Sequence, residues 1–227
     1  MFIERIGGVT MPVTQYYPIG SITMPSSWIA FIAGFIVTYL FIRLYVGKVH
    51  SERIGDLFFY VVIIWKLSVI VTDFSLVMKN PLSILYFHGG TFGWILGLVV
   101  AGVWMLRRVY KEKWERIDKW SVLLALICWQ AVYQIAMTFL NEGSLVVKSA
   151  TVLLFIAVFV LSWWCQQKKV NTVSDLAGVL IAVHFFVSAI QGNLLNTAFI
   201  TTIFIGLLLF GIDRATAQPI SGKEEVE

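Results

Sequence analysis

Seven apolar stretches, each about as long as a membrane is thick, dominate this chain of 227 residues. A helix needs roughly 20 predominantly apolar residues to cross the hydrocarbon core of a bilayer. Most charged residues fall between the stretches, which cover residues 26–46, 56–78, 82–106, 120–140, 146–165, 175–192 and 194–212. The pattern predicts an all-α, polytopic membrane protein with about seven transmembrane helices.

The composition excludes an ordinary soluble domain. Hydrophobic residues make up 59% of the chain, charged residues make up 13%, and the mean hydropathy is +0.83. About a quarter of the residues in a soluble domain are charged. One transmembrane domain, residues 26–212, therefore accounts for most of the chain. Residues 1–25, which contain several prolines and tyrosines, are expected to lie in the membrane interface, and residues 213–227 are expected to form a cytoplasmic tail.

Lysine and arginine residues are concentrated in alternate loops. One set of loops carries Arg43, Lys48, Arg53, Arg107, Arg108, Lys111, Lys113, Arg116, Lys119, Lys168, Lys169, Arg214 and Lys223. The other set carries Arg5, Lys79 and Lys148. Because loops rich in lysine and arginine stay in the cytoplasm, the N-terminus is predicted to be outside and the C-terminus inside.

The remaining composition gives no sign of a metal, a cofactor or a nucleic acid. The net charge of +4 comes from basic residues between hydrophobic runs, where they orient the chain in a membrane. The three histidines, His50, His88 and His184, share no short spacing of the kind that metal sites use. His184, inside an apolar run, is expected to hydrogen-bond between helices. Cys128 and Cys165 are expected to be small buried apolar residues.

The stretch from Lys66 to Gly97 is the expected functional region. Lys66 and Asp73 stand inside an apolar run, where a charge needs a partner, a water-filled cavity or a function. Two readings are open: the pair locks helices together, or Lys66 binds a lipid phosphate. The Asn80-Pro81 turn and the His88-Gly89-Gly90 sequence predict a broken segment at membrane depth, which survives only when protein or a polar cavity covers it.

The order of several short motifs resembles that of bacterial phosphatidylglycerol–prolipoprotein diacylglyceryl transferases. Lys66-Leu67 stands where that family has an Arg-Leu pair. Asn80-Pro81-Leu82 matches the turn that follows the pair, and His88-Gly89-Gly90 resembles the family's histidine before Gly-Gly. The family's loop also has an earlier Gly-Gly. If Gly89-Gly90 aligns with that one, Trp94 takes the position of the family's histidine. The basic loop from Arg107 to Lys119 corresponds to the family's basic cytoplasmic loop. The resemblance covers most of the first 140 residues.

The resemblance implies a function and a set of site residues. The family transfers a diacylglyceryl group from phosphatidylglycerol to a cysteine in the signal peptide of a prolipoprotein, in the bacterial plasma membrane. Carried over to this chain, His88 and Glu142 are the expected catalytic residues. The expected substrate-binding residues are Lys66, Asn80, Gly89, Gly90, Tyr133 and Gln134.

One departure concerns the chemistry directly. The family's signature, GRxGNFxNxExxG, would fall near residues 131–143, where only Phe139 and Asn141-Glu142-Gly143 are similar. The chain has no arginine between Arg116 and Arg214, so the signature arginine is missing. Three readings therefore remain: an active transferase with a rebuilt site, a non-catalytic paralogue that keeps the fold and a lipid cleft, and a small transporter.

Overall fold

The computed structural model describes residues 15–19, 22–168 and 173–216, and these contain seven helices that are long and apolar enough to cross a membrane. The predicted all-α polytopic fold is thereby confirmed. The helices in chain order are α1 (Ser26–Tyr45), α2 (Lys48–Leu67), α3 (Val69–Thr72), α4 (Phe74–Lys79), α5 (Ser83–Tyr86), α6 (Gly90–Glu112), α7 (Arg116–Leu140), α8 (Leu145–Gln167), α9 (Val173–Ile190) and α10 (Thr197–Thr216). The short helices α3, α4 and α5 connect α2 to α6.

The described part of the predicted interfacial segment forms a β-hairpin. Strands β1 (Tyr16–Ile19) and β2 (Ile22–Pro25) pair antiparallel, with Tyr16 opposite Pro25. The hydroxyl of Tyr17 donates to the carbonyl of Leu140 at 2.8 Å, which ties the hairpin to the end of α7. Residues 1–14 and the tail from 217 onward lie outside the described residues. The first residues assigned to the tail, 213–216, instead continue α10.

The structure corrects the predicted bounds of the second and third spans. The sequence predicted one helix over 56–78, but α2 begins at Lys48 and ends at Leu67. Helix α3 continues α2, and the two form one span over Lys48–Thr72. At Asp73 the backbone leaves the helical region, with φ −132° and ψ 47°, so α4 does not continue that span. The third span, predicted over 82–106, begins only at Gly90 and runs to Glu112. Lys66 consequently lies in the last third of the span Lys48–Thr72 and not in its middle.

Helix α7 is the central helix of the bundle. Every residue from Lys119 to Ala131 is buried, whereas each neighbouring helix buries one stripe and exposes the rest of its apolar surface. That exposed surface, which includes Leu44, Leu153 and Phe186, suits contact with lipid tails. Helix α7 packs mainly against α1 and α8, α2 packs against α6, and α9 packs against α10.

Successive spans run in opposite directions and so define two ends of the bundle. The basic end contains the loop between α6 and α7, where Arg53 pairs with Asp118 and Glu112, and Lys119 Nζ lies 2.6 Å from Asp213 Oδ1. The opposite end, called the hairpin end below, contains the β-hairpin, the α3–α5 segment and the start of α6. That the basic end faces the cytoplasm stays a prediction.

Candidate functional site

Two hydrogen bonds to Trp65 fix the turn that leads into α6 to the end of α2. The amide of Gly89 donates to the carbonyl of Trp65 at 3.1 Å, and the indole N–H of Trp65 donates to the carbonyl of Gly90 at 3.1 Å. These hydrogen bonds satisfy backbone groups that would otherwise be unpaired at membrane depth, as irregular backbone there requires. The predicted break at His88-Gly89-Gly90 is therefore a defined turn.

The glycines of this turn are needed for close approach and for backbone conformation. A Cβ atom at Gly89 would stand 1.9 Å from Ser68 Oγ and 3.1 Å from the backbone carbon of Ser68. Gly93, one helical turn into α6, would meet the same oxygen at 1.9 Å. Gly90 has a positive φ of 58°, which costs other residues about 1–2 kcal/mol. Small residues thus allow the close contact where the end of α2 meets the start of α6.

The imidazole of His88 is held by this turn. The backbone N–H of Gly90 donates to His88 Nδ1 at 3.1 Å. The ring stacks on Trp65, with centroids 4.3 Å apart and planes at 29°, and its centroid is 6.3 Å from that of Trp28. Burial among these groups lowers the pKa of His88 below 6.5, and the nearby charge of Lys66 lowers that pKa further. His88 is therefore a neutral ring near physiological pH.

A cavity of about 320 Å³, called the cleft below, lies beside His88 at the hairpin end. Its volume falls in the range of roughly 300–1,000 Å³ that ligand pockets occupy. Aromatic and aliphatic side chains provide most of its wall, and Ser27, His88, Thr91, Tyr133 and Thr197 provide the polar groups. No acidic side chain lines the cleft among the residues that the structure describes. Trp28 and Ile32 line the cleft and are also 38% and 44% exposed on the outer face of α1, which opens it sideways toward lipid.

Lys66 is next to the cleft, in the last turn of α2. It follows Trp65 directly and is partly buried, and its charge reaches His88. Asp73 is exposed in the break between α3 and α4, where it accepts a hydrogen bond from the Thr72 hydroxyl at 3.0 Å. The two charges predicted to share one helix face thus belong to different elements.

The other predicted site residues are divided between several locations. Tyr133 lines the cleft and stacks on Trp129, with ring centroids 5.5 Å apart. Gln134, the next residue of α7, is fully buried, and its Nε2 lies 3.0 Å from Nε2 of His184. Asn80 is exposed at the end of α4, where its carbonyl accepts from the amide of Ser83.

Glu142 lines a second cavity, of about 260 Å³, between the ends of α7, α8 and α9. Its carboxylate accepts a hydrogen bond from Gln15 at 3.1 Å, and Lys148 of the same cavity donates to the carbonyl of Asn141 at 2.6 Å. His88 and Glu142, the two predicted catalytic residues, therefore line different cavities.

His184 belongs to a buried network in the bundle core. Its Nδ1 lies 2.8 Å from Thr202 Oγ1, and Gln130 Nε2 donates to the same oxygen at 2.7 Å. The predicted role of His184 as a hydrogen-bonding residue between helices is confirmed, because the network joins α7, α9 and α10. His50 lies apart from it, 3.5 Å from Asp118 at the basic end.

Sequence reasoning missed the tryptophans that build the cleft. Trp28, Trp65, Trp94 and Trp129 all line it. The indoles of the first three contact one another or His88, and that of Trp129 contacts Tyr133. Tryptophan is common at membrane interfaces in general, so composition alone did not single out these four. The positions of Trp28, Trp65 and Trp94 near the hairpin ends of α1, α2 and α6 were the available signal.

No protein-family model, curated protein or solved structure matches this chain.

Proposed function

We propose that this protein binds a glycerophospholipid in the cleft and acts as a diacylglyceryl transferase of the prolipoprotein type, with low activity. One observation carries the proposal: an apolar cleft open sideways to lipid has the neutral imidazole of His88 in its lining, beside the positive charge of Lys66. Acyl chains match the apolar wall and the exposed Trp28–Ile32 rim. A lipid phosphate placed near His88 and Lys66 would meet a positive charge and hydrogen-bond donors.

The chemistry needs two groups from the protein. In the transfer, the sulfur of a prolipoprotein cysteine forms a bond to a glycerol carbon of phosphatidylglycerol. The bond from that carbon to the phosphate oxygen breaks, and glycerol phosphate leaves with the electron pair. The thiol must lose its proton because the thiolate is the nucleophile. Cationic and hydrogen-bonding groups at the phosphate favour the departure of the leaving group.

The cleft supplies the second of these requirements better than the first. Lys66 is a single positive charge, whereas an arginine binds a phosphate through two parallel hydrogen bonds. No arginine lines the cleft among the described residues, and the predicted acid–base partner Glu142 lines the other cavity. Removal of an arginine that stabilises a transferring phosphoryl group lowers the rate by roughly 10³–10⁵. A transferase site without an arginine is therefore expected to be slow.

The same observation favours a second candidate, a non-catalytic relative that retains phospholipid. Glu142 and Gln134 lie in the stretch that aligns with the signature motif. Glu142 lines another cavity, and Gln134 is hydrogen-bonded to His184. A protein of this kind would keep the cleft and lose the transfer.

Complementation separates the two candidates. The full chain is expressed in bacterial cells depleted of their own transferase, and the diacylglyceryl modification of a reporter with a lipobox cysteine is followed by its mass shift. Slow modification that His88→Ala abolishes supports the transferase. Unmodified reporter, despite correct membrane insertion, supports the non-catalytic relative and overturns the transferase.

Phospholipid retention tests the property that both candidates share. The protein is purified in a mild detergent and its bound lipids are identified by mass spectrometry. A Thr91→Phe variant fills the cleft, and Thr138→Phe, which fills the second cavity, is the matched control. Loss of phosphatidylglycerol from the first variant alone is expected. Equal retention in both variants would place the lipid elsewhere.

A further inference from the structure

The hydrogen bond from Gly90 to His88 determines which ring nitrogen carries the proton. A backbone N–H can only donate, so Nδ1 of His88, 3.1 Å away, accepts with its lone pair. In a neutral imidazole the other nitrogen, Nε2, then carries the hydrogen. The ring is neutral because it is buried and lies near the Lys66 charge, and both factors lower its pKa.

The surrounding side chains prevent the ring from exchanging its two nitrogens. His88 stacks on Trp65 at a centroid distance of 4.3 Å, and the ring of Trp28 lies tilted to it at a centroid distance of 6.3 Å. Trp65 is itself fixed by two hydrogen bonds. Its indole N–H donates to the Gly90 carbonyl, and its backbone carbonyl accepts from the Gly89 amide. A ring flip would break the Gly90 hydrogen bond and leave that backbone N–H unpaired, which is unfavourable for a buried backbone group.

His88 also lines the cleft, so its hydrogen-bonding capacity matters to whatever occupies that space. Among the ionisable side chains of the cleft lining it is the one whose charge could change near neutral pH. With Nδ1 already engaged, Nε2–H is the group left for a ligand. A neutral Nε2–H donates a hydrogen bond and cannot accept a proton at the same nitrogen.

We propose that His88 is a fixed hydrogen-bond donor, through Nε2–H, to a phosphate oxygen of the phospholipid in the cleft, and that it is not the base for the thiol. The inference rests on the proposed function for its ligand, but the identity of the protonated nitrogen does not. Lys66 attracts the same phosphate by its charge, and the hydrogen bond from His88 fixes the orientation of the phosphate. This role differs from the catalytic one predicted for His88, because the side chain contacts the phosphate and does not take up the thiol proton.

A direct readout of the tautomer needs no ligand. The full chain is labelled with ¹⁵N-histidine, placed in lipid nanodiscs, and studied by NMR near neutral pH. The His88 signals are identified as those that disappear in His88→Gln. A hydrogen on Nε2 with an unprotonated Nδ1 is expected. A hydrogen on Nδ1, or on both nitrogens, would overturn the donor role whether or not the protein binds lipid.

Two amide substitutions test what the ligand receives. Glutamine at position 88 extends an N–H to about the position of Nε2, whereas asparagine reaches only about as far as Nδ1. We expect His88→Gln to bind phosphatidylglycerol within a few-fold of wild type and His88→Asn to bind about tenfold or more weakly, as His88→Ala does. Thermal unfolding of each variant shows whether the fold is retained.

Three probes identify the group that His88 contacts: nanodisc-bound phosphatidylglycerol, diacylglycerol without a phosphate, and inorganic phosphate. Binding of phosphatidylglycerol alone, with the Gln-over-Asn order, supports the inference. Equal binding of diacylglycerol would overturn the phosphate contact, and binding of inorganic phosphate alone would overturn the lipid as its source. If the NMR result holds but wild type binds no probe, the proposed function has failed and the ligand assigned to His88 fails with it.

Discussion

Gly97 of α6 lies directly against the backbone of Val61 in α2. A Cβ atom at position 97 would stand 2.7 Å from the Val61 carbonyl oxygen and 3.1 Å from its Cα. These are backbone atoms, so no side chain can turn away to make room. The contact joins the two helices whose ends hold the His88 turn, and the geometry of the cleft depends on it.

Gly97→Ala is therefore expected to destabilise the protein. The added methyl group forces α2 and α6 apart, and overpacking of this kind costs about 1–3 kcal/mol in the free energy of unfolding. Thermal unfolding in detergent, followed by tryptophan fluorescence, measures the loss. Gly178→Ala is the matched control, because a Cβ there would meet nothing within 4 Å. Similar stability of the two variants would contradict the close α2–α6 contact.

The hydrogen bond between Gln134 and His184 gives a second prediction. His184→Phe removes the partner of the buried Gln134 amide nitrogen and one of the partners of Thr202. It should destabilise the protein by about 0.5–1.5 kcal/mol, since hydrogen bonds between membrane helices have that size. Unfolding of wild type, both single variants and the pair Gln134→Leu with His184→Phe forms a double-mutant cycle.

The cycle also tests the predicted substrate role of Gln134. The pair should lose less stability than the sum of the single variants, because the two side chains are in contact. Gln134→Leu should retain phospholipid as wild type does, since Gln134 faces His184. Additive losses combined with lost lipid would return Gln134 to the substrate site.

The fold could be predicted from the sequence because its signal is physical and local. Runs of about 20 apolar residues have few alternatives to a spanning helix, and all seven were found. The errors lie where charges stand inside helices. Lys48, Glu52 and Arg53 indicate a loop by composition, yet they form the first turns of α2, where Arg53 pairs with Asp118. That partner is 65 residues away, so the sequence around Arg53 could not reveal it.

The candidate site was predicted in part. The broken segment at His88-Gly89-Gly90 could be identified because glycine pairs are rare in spans that continue unbroken. The separation of Glu142 from His88 could not, because it depends on how the end of α7 meets α8 and the β-hairpin. Side-chain direction on α7 is similarly invisible: Tyr133 faces the cleft, and the adjacent Gln134 faces His184.

The orientation in the membrane is a further prediction. The loop between α6 and α7 should be cytoplasmic, because lysine and arginine are concentrated there. In intact cells, a membrane-impermeant maleimide should fail to label Lys113→Cys and should label Ser144→Cys at the hairpin end; both positions are exposed. Cys128 and Cys165 are buried and are replaced by alanine. Strong labelling at position 113 would reverse the orientation and place the cleft in the inner leaflet.

The lowered pKa of His88 predicts how stability depends on pH. Above pH 6.5 the ring is neutral in the folded and unfolded chain, so it has no effect on the difference between them. Below pH 6.5 the unfolded chain takes up the proton first, and stability falls until the folded ring is protonated as well. Wild type should therefore lose more stability than His88→Gln between about pH 7 and about pH 5, as measured by thermal unfolding. Parallel curves would show that the folded environment leaves this pKa unchanged.

Lys66→Met should weaken phospholipid binding without preventing folding. Methionine keeps an unbranched side chain only one atom shorter beside Trp65 and removes the charge that reaches His88. An ion pair at the edge of a membrane protein is partly screened, so a loss of about threefold to tenfold in phosphatidylglycerol retention is expected. Lys79→Met is the matched control, because Lys79 is an exposed lysine at the same end of the bundle and is not among the groups that shift the pKa of His88. Mass spectrometry of the purified variants measures the retained lipid. Equal loss in both variants would mean that the lipid responds to the net charge of the hairpin end, and unchanged retention in Lys66→Met would make Lys66 a structural residue.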